Sequence, residues 1–268
     1  MNTKIRHVHI PKTAGSALNS VIYENLGLKP GHIASIVKKG EETERPYNLT
    51  RKSQAYNFAR NNKYLSGHIS FSDMKALDGD FIFTALRDPR QRIVSLYTYA
   101  MTRIDRGVIL NRSIERGNFL AFISSMKEGN GIFKILCLDY MVARGYSYEE
   151  VKSDEVTMRR IIRAALKRFD AIYFCSIQEI LNDLSGRKLI SNCKEVVRNP
   201  SLEGLSLGDL GMKQAFIDKM DKLTHLDSLV IRIASELFPE SINQKQLTNE
   251  EFVNYLQNRF ECNFSGDI

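Results

Sequence analysis

The sequence predicts an α/β fold in which a parallel sheet carries helices on both faces, and three observations lead there. Phe81-Ile82-Phe83-Thr84-Ala85-Leu86 is a continuous apolar run that suits a strand buried on both faces. A short strand-like segment, a turn and an amphipathic helix occur in that order twice, over 5–26 and again over 81–104. No repeat, low-complexity tract or clear linker breaks the 268 residues, which points to a single domain spanning 1–268. Ligands of such sheets sit beyond the carboxyl ends of the strands.

The elements follow in order. Ile5 to Ile10 is the first strand, although Arg6, His7 and His9 make it more polar than a central strand should be. Ala17, Leu18, Val21, Ile22 and Leu26 form an apolar stripe at helical spacing, so a helix begins near Ala14 to Ser16 and stops at Gly27. Leu28 to Lys63 is polar, with Glu41, Glu42, Glu44, Arg45 and Pro46 marking a loop that suits a flap or a substrate-side insertion. Tyr64 to Phe71 reads as a short strand leaving into a loop, followed by a brief helix at Ser72 to Leu77. After the strand at Phe81–Leu86, Ile93, Leu96, Tyr97, Ala100, Met101 and Ile104 share one helical face.

Further helices are expected at about Asn118 to Glu128, Gly131 to Ala143 and Ser153 to Phe169, then a short buried strand at Ala171 to Cys175. Ser176-Ile177-Gln178-Glu179 is a capping box that starts a helix ending at Gly186. Asn199 to Gly211 reads as a Ser/Gly/Leu loop, and two helices follow, at Lys213 to Leu223 and Leu226 to Phe238. A last helix opens on the capping box Thr248-Asn249-Glu250-Glu251.

Composition removes several classes. A hydrophobic content of 43% with 26% charged residues is that of a globular protein, not of a disordered chain. No apolar run approaches the roughly 20 residues of a membrane span, and Met1 to Arg6 lacks the apolar core of a signal peptide, so a cytoplasmic location is expected. Cys137, Cys175, Cys193 and Cys262 are spaced for neither a zinc site nor a disulfide framework. The formal charge of +7 favours anionic partners. No nucleic-acid motif, and no stripe of aromatics among basic residues, accompanies it, so nucleic acid is not an expected partner. The oligomeric state is not legible.

Three constellations carry chemistry. The first is Val8-His9-Ile10-Pro11-Lys12-Thr13-Ala14-Gly15-Ser16-Ala17-Leu18, a strand running through a small-residue turn into a helix. The first turn of a helix has N–H groups without internal partners and a partial positive charge, so an anion is readily held there. Lys12 adds a full charge, Thr13 and Ser16 add hydroxyl donors, and Ala14 and Gly15 let the backbone approach an oxyanion. Lys12 precedes the glycine by three residues, so the order G-x-x-x-x-G-K-[ST] of a Walker loop is not met.

In the second constellation, Arg87-Asp88-Pro89 ends the buried strand and Ser95 follows about two helical turns on. A guanidinium fork there suits a phosphate monoester. Taken alone, Arg87 reads better as an ion-pair partner and Ser95 as a helix-surface serine, and only the two signatures together, in this order and on these elements, favour a ligand; Asp88 and Arg92 suit the building of the turn and helix start. The third is Gly67-His68-Ile69-Ser70-Phe71, where His68 has the residue type that most often removes a proton from a hydroxyl nucleophile. His7 and His9 lie on the first strand, where His9 is read as helping to shape the loop; His32 and His225 have no motif around them, and the absence of G-x-S-x-G leaves a serine hydrolase unsupported.

His9 to Ser16 resembles the 5′-phosphosulfate loop of sulfotransferases that use 3′-phosphoadenosine 5′-phosphosulfate, most of all the carbohydrate branch containing heparan sulfate 2-O-sulfotransferase. The segment Thr84 to Tyr97 resembles that family's 3′-phosphate signature, and Gly67-His68 with Phe71 resembles the segment that supplies its base. The resemblance implies a P-loop-NTPase-like sheet and transfer of a sulfuryl group to a carbohydrate hydroxyl. Lys12, Thr13, Ala14, Gly15, Ser16 and Ala17 would hold the 5′-phosphosulfate, with Lys12 also neutralising charge that develops during transfer. Arg87 and Ser95 would hold the 3′-phosphate, and His68 would be the base. The scheme requires no metal and yields adenosine 3′,5′-bisphosphate.

Relatives often carry a lid over the nucleotide near Val197 to Ser201, which makes Arg198 a cofactor candidate, although the aromatic and Lys-Gly-Arg features of that lid are missing here. The basic charge is compatible with an acidic acceptor, and equally with the charge of the donor itself. Two other classes stay open. In a nucleotide or small-molecule kinase, Phe81 to Asp88 would be a Walker B strand, against which stand Arg87, Pro89 and the missing G-K-[ST] order. The other is a polyanion-binding protein without catalysis.

Overall fold

A computed structural model of the chain describes residues 3–28, 31–33, 52–101, 118–126, 129–174, 176–191 and 205–265. In chain order the elements begin β1 (Ile5–Val8), α1 (Gly15–Asn25), β2 (His32–Ile33), α2 (Lys52–Asn61), β3 (Tyr64–Gly67), α3 (Phe71–Ala76), β4 (Phe81–Ala85) and α4 (Pro89–Met101). They continue α5 (Phe119–Ser125), α6 (Gly131–Ala143), α7 (Tyr148–Lys152), α8 (Glu155–Leu166), β5 (Ala171–Tyr173) and α9 (Ile177–Gly186). Last come β6 (Ser206–Asp209), α10 (Lys213–Leu237), α11 (Asn249–Arg259) and β7 (Glu261–Asn263). Contacts group these into two compact units, one of residues 1–86, 131–198 and 230–244, the other of 87–130, 199–229 and 245–268. Among the described residues no helix is long and apolar enough to cross a membrane.

The first unit is the expected α/β layer structure. Five strands in the order β2-β3-β1-β4-β5 form one sheet, and every pairing in it is parallel. Side chains of successive strand residues point to opposite faces. On one face Ile5, Phe83 and Tyr173 pack with Leu18 and Ile22 of α1 and with Ile180, Leu181 and Leu184 of α9. On the other, α3 lies against β1 and β4.

That second face explains the arginine that looked out of place in β1. Arg6 is fully buried, and its guanidinium donates to the carbonyls of Ala59 (2.8 Å) and Asp78 (3.0 Å), closing the chain around the end of α2 and the turn after α3. Burial pulls its pKa down to about 10, so the group remains charged at neutral pH.

Three elements of this unit, β2, α2 and α7, escape the sequence reading. Within the stretch read as a polar loop, α2 buries Ala55 and Ala59 and packs Phe58 against the core, a narrow stripe among polar neighbours. The short α7 is held by a capping box between Ser147 and Glu150. The rest of the stretch that suits a flap, residues 29–30 and 34–51, lies outside the described residues.

The second unit has its own core, in which Ile93, Val94 and Tyr97 of α4 meet Phe119 and Phe122 of α5, Phe216 and Met220 of α10, and Phe252 and Leu256 of α11. Part of the expected loop Asn199 to Gly211 is instead β6, which pairs in parallel with β7 after α11 and buries Leu207. Its partner lies about 55 residues on, which no local pattern announces.

The two expected helices at Lys213–Leu223 and Leu226–Phe238 form a single 25-residue helix, α10. The boundary expected between them still leaves a mark. The Leu223 carbonyl accepts from the Gly129 N–H (2.9 Å), and Asn130 Oδ1 accepts from the N–H groups of Leu226 (3.1 Å) and Asp227 (3.4 Å). A neighbouring segment thus takes over rungs of the helical ladder without ending the helix. Glycine suits position 129, because a Cβ there would lie 2.6 Å from Ile93 Cδ1 and 3.1 Å from the Leu223 carbonyl oxygen, so both neighbours would have to shift.

Arg92 locks this insertion. One of its terminal nitrogens donates to the Gly129 carbonyl (2.5 Å) and lies 3.4 Å from Asp227 Oδ2, with Arg92 5% and Asp227 0% exposed. Removing one partner of a buried ion pair strands the other's charge. Asp227→Ala is therefore expected to cost ~3–5 kcal/mol, read as a fall in the urea midpoint. A loss within about 0.5 kcal/mol, typical of surface changes, would show that the pair does not hold the insertion.

Candidate active site

The sheet brings two of the three constellations together. In the register of β1 and β3, Val8 lies opposite Gly67, so the loop after β1 and His68 after β3 leave neighbouring strands at the same level. The His9 N–H donates to the Gly67 carbonyl (2.8 Å) and the His68 N–H to the Ile33 carbonyl (2.7 Å), which carries the pairing one residue past each strand.

The loop at Pro11–Ala14 is tight and unusual in its backbone. Lys12 (φ 70°) and Ala14 (φ 63°) both occupy the left-handed region although neither is glycine. Such conformations cost on the order of 1–2 kcal/mol each and cluster at ligand sites. The Ala14 carbonyl accepts from Ala17 N (3.1 Å) and Leu18 N (3.2 Å), so Ala14 caps α1 through its backbone, with no side-chain cap on the preceding N–H groups. Ala14 and Ser16 are exposed, whereas Thr13 and Gly15 are buried. The Thr13 hydroxyl donates to the Ile10 carbonyl (2.9 Å) and ties the turn from inside, a different use from the ligand donor expected of it.

Gly15 is required by a ring. A Cβ at this position would lie 2.1 Å from His9 Cδ2 and 2.2 Å from His9 Nε2, so the imidazole of His9 lies directly against the first residue of α1. The same ring has its centroid 4.5 Å from that of His68, tilted by 55°. The His7 ring also stacks on that of His9, at 5.3 Å, and His7 in turn stacks on Phe83 at 4.6 Å. His7 Nδ1 lies 2.9 Å from Asn19 Oδ1 and 3.2 Å from the Tyr64 hydroxyl, and Asn19 Nδ2 donates to the Ser66 hydroxyl (2.9 Å).

Sequence reasoning passed over this buried network of His7, Asn19, Tyr64 and Ser66. The signal was present in the two histidines of a strand that should have been apolar.

His68 is half-buried. Loss of hydration disfavours its charged form and lowers its pKa below the usual 6.5, so the neutral ring is the form present at pH 7. The segment after it is fixed by Ser70, whose hydroxyl accepts from the Asp73 N–H (3.2 Å) and caps α3.

The second unit holds the remaining described constellation. Asp88 caps α4, its Oδ1 accepting from the N–H groups of Arg90 (3.0 Å) and Gln91 (3.1 Å) and its Oδ2 from Leu247 (3.0 Å), so it builds the turn as expected. Arg87 lies one residue ahead of that cap, half-buried, and donates to the Tyr255 hydroxyl at 3.5 Å. Ser95 lies half-buried on α4, its carbonyl accepting from the Thr98 hydroxyl (3.2 Å). Arg198 lies outside the described residues.

Comparison with curated proteins finds no match. The family model described as the sulfotransferase family matches residues 2–140, just over half of the 268, and includes the loop, His68, Arg87 and Ser95. The matched half contains β1 to β4, the strands whose ends carry the loop and His68, and on that match the chain belongs to the sulfotransferase family.

Proposed function

We propose that the chain transfers a sulfuryl group from 3′-phosphoadenosine 5′-phosphosulfate to a hydroxyl of a carbohydrate or glycoconjugate, with His68 as general base. What supports this best is that the loop suited to an anion and His68, whose neutral form burial favours, leave the ends of two paired strands at the same level. The loop suits a phosphate: uncapped N–H groups open α1, Ala14 and Ser16 leave the approach uncrowded, and Lys12 supplies charge.

In this reading the donor supplies a sulfuryl group on a phosphate leaving group. Residues 12–17 hold the 5′-phosphosulfate. His68 accepts the hydroxyl proton as the acceptor oxygen bonds to sulfur, and the bridging S–O bond breaks with its electron pair remaining on the phosphate. Lys12 offsets the charge gathering on that oxygen, so positioning and charge stabilisation carry the catalysis. Arg87 and Ser95 take the 3′-phosphate on the strength of the resemblance and of their places beside and on α4.

Thermal-shift titration tests the class. A clear stabilisation by adenosine 3′,5′-bisphosphate without metal is expected. A preference for ATP with magnesium would indicate a kinase, and a response only to long polyanions a non-catalytic binder. Arg87→Ala tests the 3′-phosphate. It should weaken adenosine 3′,5′-bisphosphate by about tenfold or more, the worth of a charge-assisted pair, and adenosine 5′-phosphate hardly at all. Equal losses for the two ligands would remove Arg87 from that role. Screening glycans with radiolabelled donor identifies the acceptor.

A further inference from the structure

We propose that His9 is a positioning residue of this site, a buried ring that sets the anion loop and His68 against one another. The inference rests on the proposed roles of the loop and of His68, and extends them to a residue that contacts neither donor nor acceptor.

Three observations carry it. The His9 ring is only 4% exposed, so it offers no face to a ligand and acts through its neighbours. It fills the space beneath Gly15 so closely that no side chain is tolerated there, which makes it the floor on which α1 and its N–H groups rest. It also meets the ring of His68, whose orientation and burial it shares in setting. Behind it, His7 is held by Asn19 of α1 and Tyr64 of β3, so both elements that flank the site fix the row of rings from the rear. Packed rings have few alternative arrangements, so a shift at one end is transmitted rather than absorbed. Misplacement of a reacting group by about 1 Å is enough to cost ~100-fold in rate.

The consequence is readable without knowing the acceptor. Titratable groups that face His9 include His68 from the end of β3 and His7 from β1, with Tyr64 beyond it, and α1 meets the ring through Gly15. Nuclear magnetic resonance of the imidazole Cε1–H groups follows His68 directly, assigned by its loss in His68→Asn. Calorimetry with adenosine 3′,5′-bisphosphate follows the loop.

In His9→Ala, water reaches His68 and the loop loses its floor. The His68 titration is expected to rise toward 6.5, and affinity for the bisphosphate to fall at least about fivefold. His9→Phe restores a buried ring without an ionisable nitrogen, and should return His68 most of the way to its wild-type titration and recover most of the lost affinity.

If His9→Ala moves neither quantity while the wild-type chain binds the bisphosphate, the His9 inference fails and the donor reading stands. If the wild-type chain does not bind the bisphosphate, the donor reading fails and takes this inference with it. Should His9→Ala not fold, His9→Phe decides alone. A His68 titration still near its wild-type position supports the ring as a packing element, and one displaced as far as full exposure would carry it overturns the proposal.

Discussion

His68→Ala is expected to lower turnover by about two orders of magnitude or more, the usual worth of a general base, while affinity for adenosine 3′,5′-bisphosphate stays within about twofold, because His68 lies beside the loop and not in it. The pH profile gives a sharper form of the same result. A base works in its deprotonated form, and burial lowers the His68 pKa, so the neutral ring persists to lower pH than an exposed histidine would allow. The acid limb of kcat/KM, which reports the free enzyme, should therefore fall below 6.5 in the wild-type chain. His68→Ala should lose that limb along with the rate. Near-wild-type turnover, or an unchanged limb in the variant, would remove His68 as the base.

Lys12→Ala should have a comparable effect, about a hundredfold or more on turnover, because it removes the one full charge the loop offers to the breaking S–O bond. The backbone makes this a clean substitution. Lys12 sits at φ 70°, a conformation that costs an alanine about what it costs a lysine, so the variant changes charge and not loop geometry. Lys12→Arg, with the charge kept and the shape altered, should retain more activity than Lys12→Ala. If Lys12→Ala weakens donor binding and leaves kcat intact, the lysine serves ground-state binding alone and plays no part in the transfer step.

Much of the framework was legible because its causes are local. The apolar run at 81–86 becomes β4, the stripe of Ala17, Leu18, Val21 and Ile22 becomes α1, and the Ser176 and Thr248 capping boxes start α9 and α11. Each of these follows from spacing or from one side chain bonding three residues on, information contained in a single window. The loop was proposed in the same way, through residue types that suit an oxyanion, and His68 through its residue type and the resemblance of Gly67-His68 with Phe71 to the segment that supplies the family's base.

What stayed hidden depends on partners distant in the chain. The pairing of β6 with β7, the entry of Gly129 and Asn130 into the ladder of α10, and the carbonyls that satisfy Arg6 all lie tens of residues away from the groups they explain. The loop shows the division most clearly. Sequence alone determined that Lys12 to Ala17 suits an anion and that Gly15 was small; it offered backbone access as the reason. Tertiary structure supplied another: the chain returns His9 beneath that glycine and, through the parallel register of β1 and β3, brings His68 against His9. Local propensity selects the elements, but only close packing between strands set 57 to 59 residues apart decides which side chains share a site.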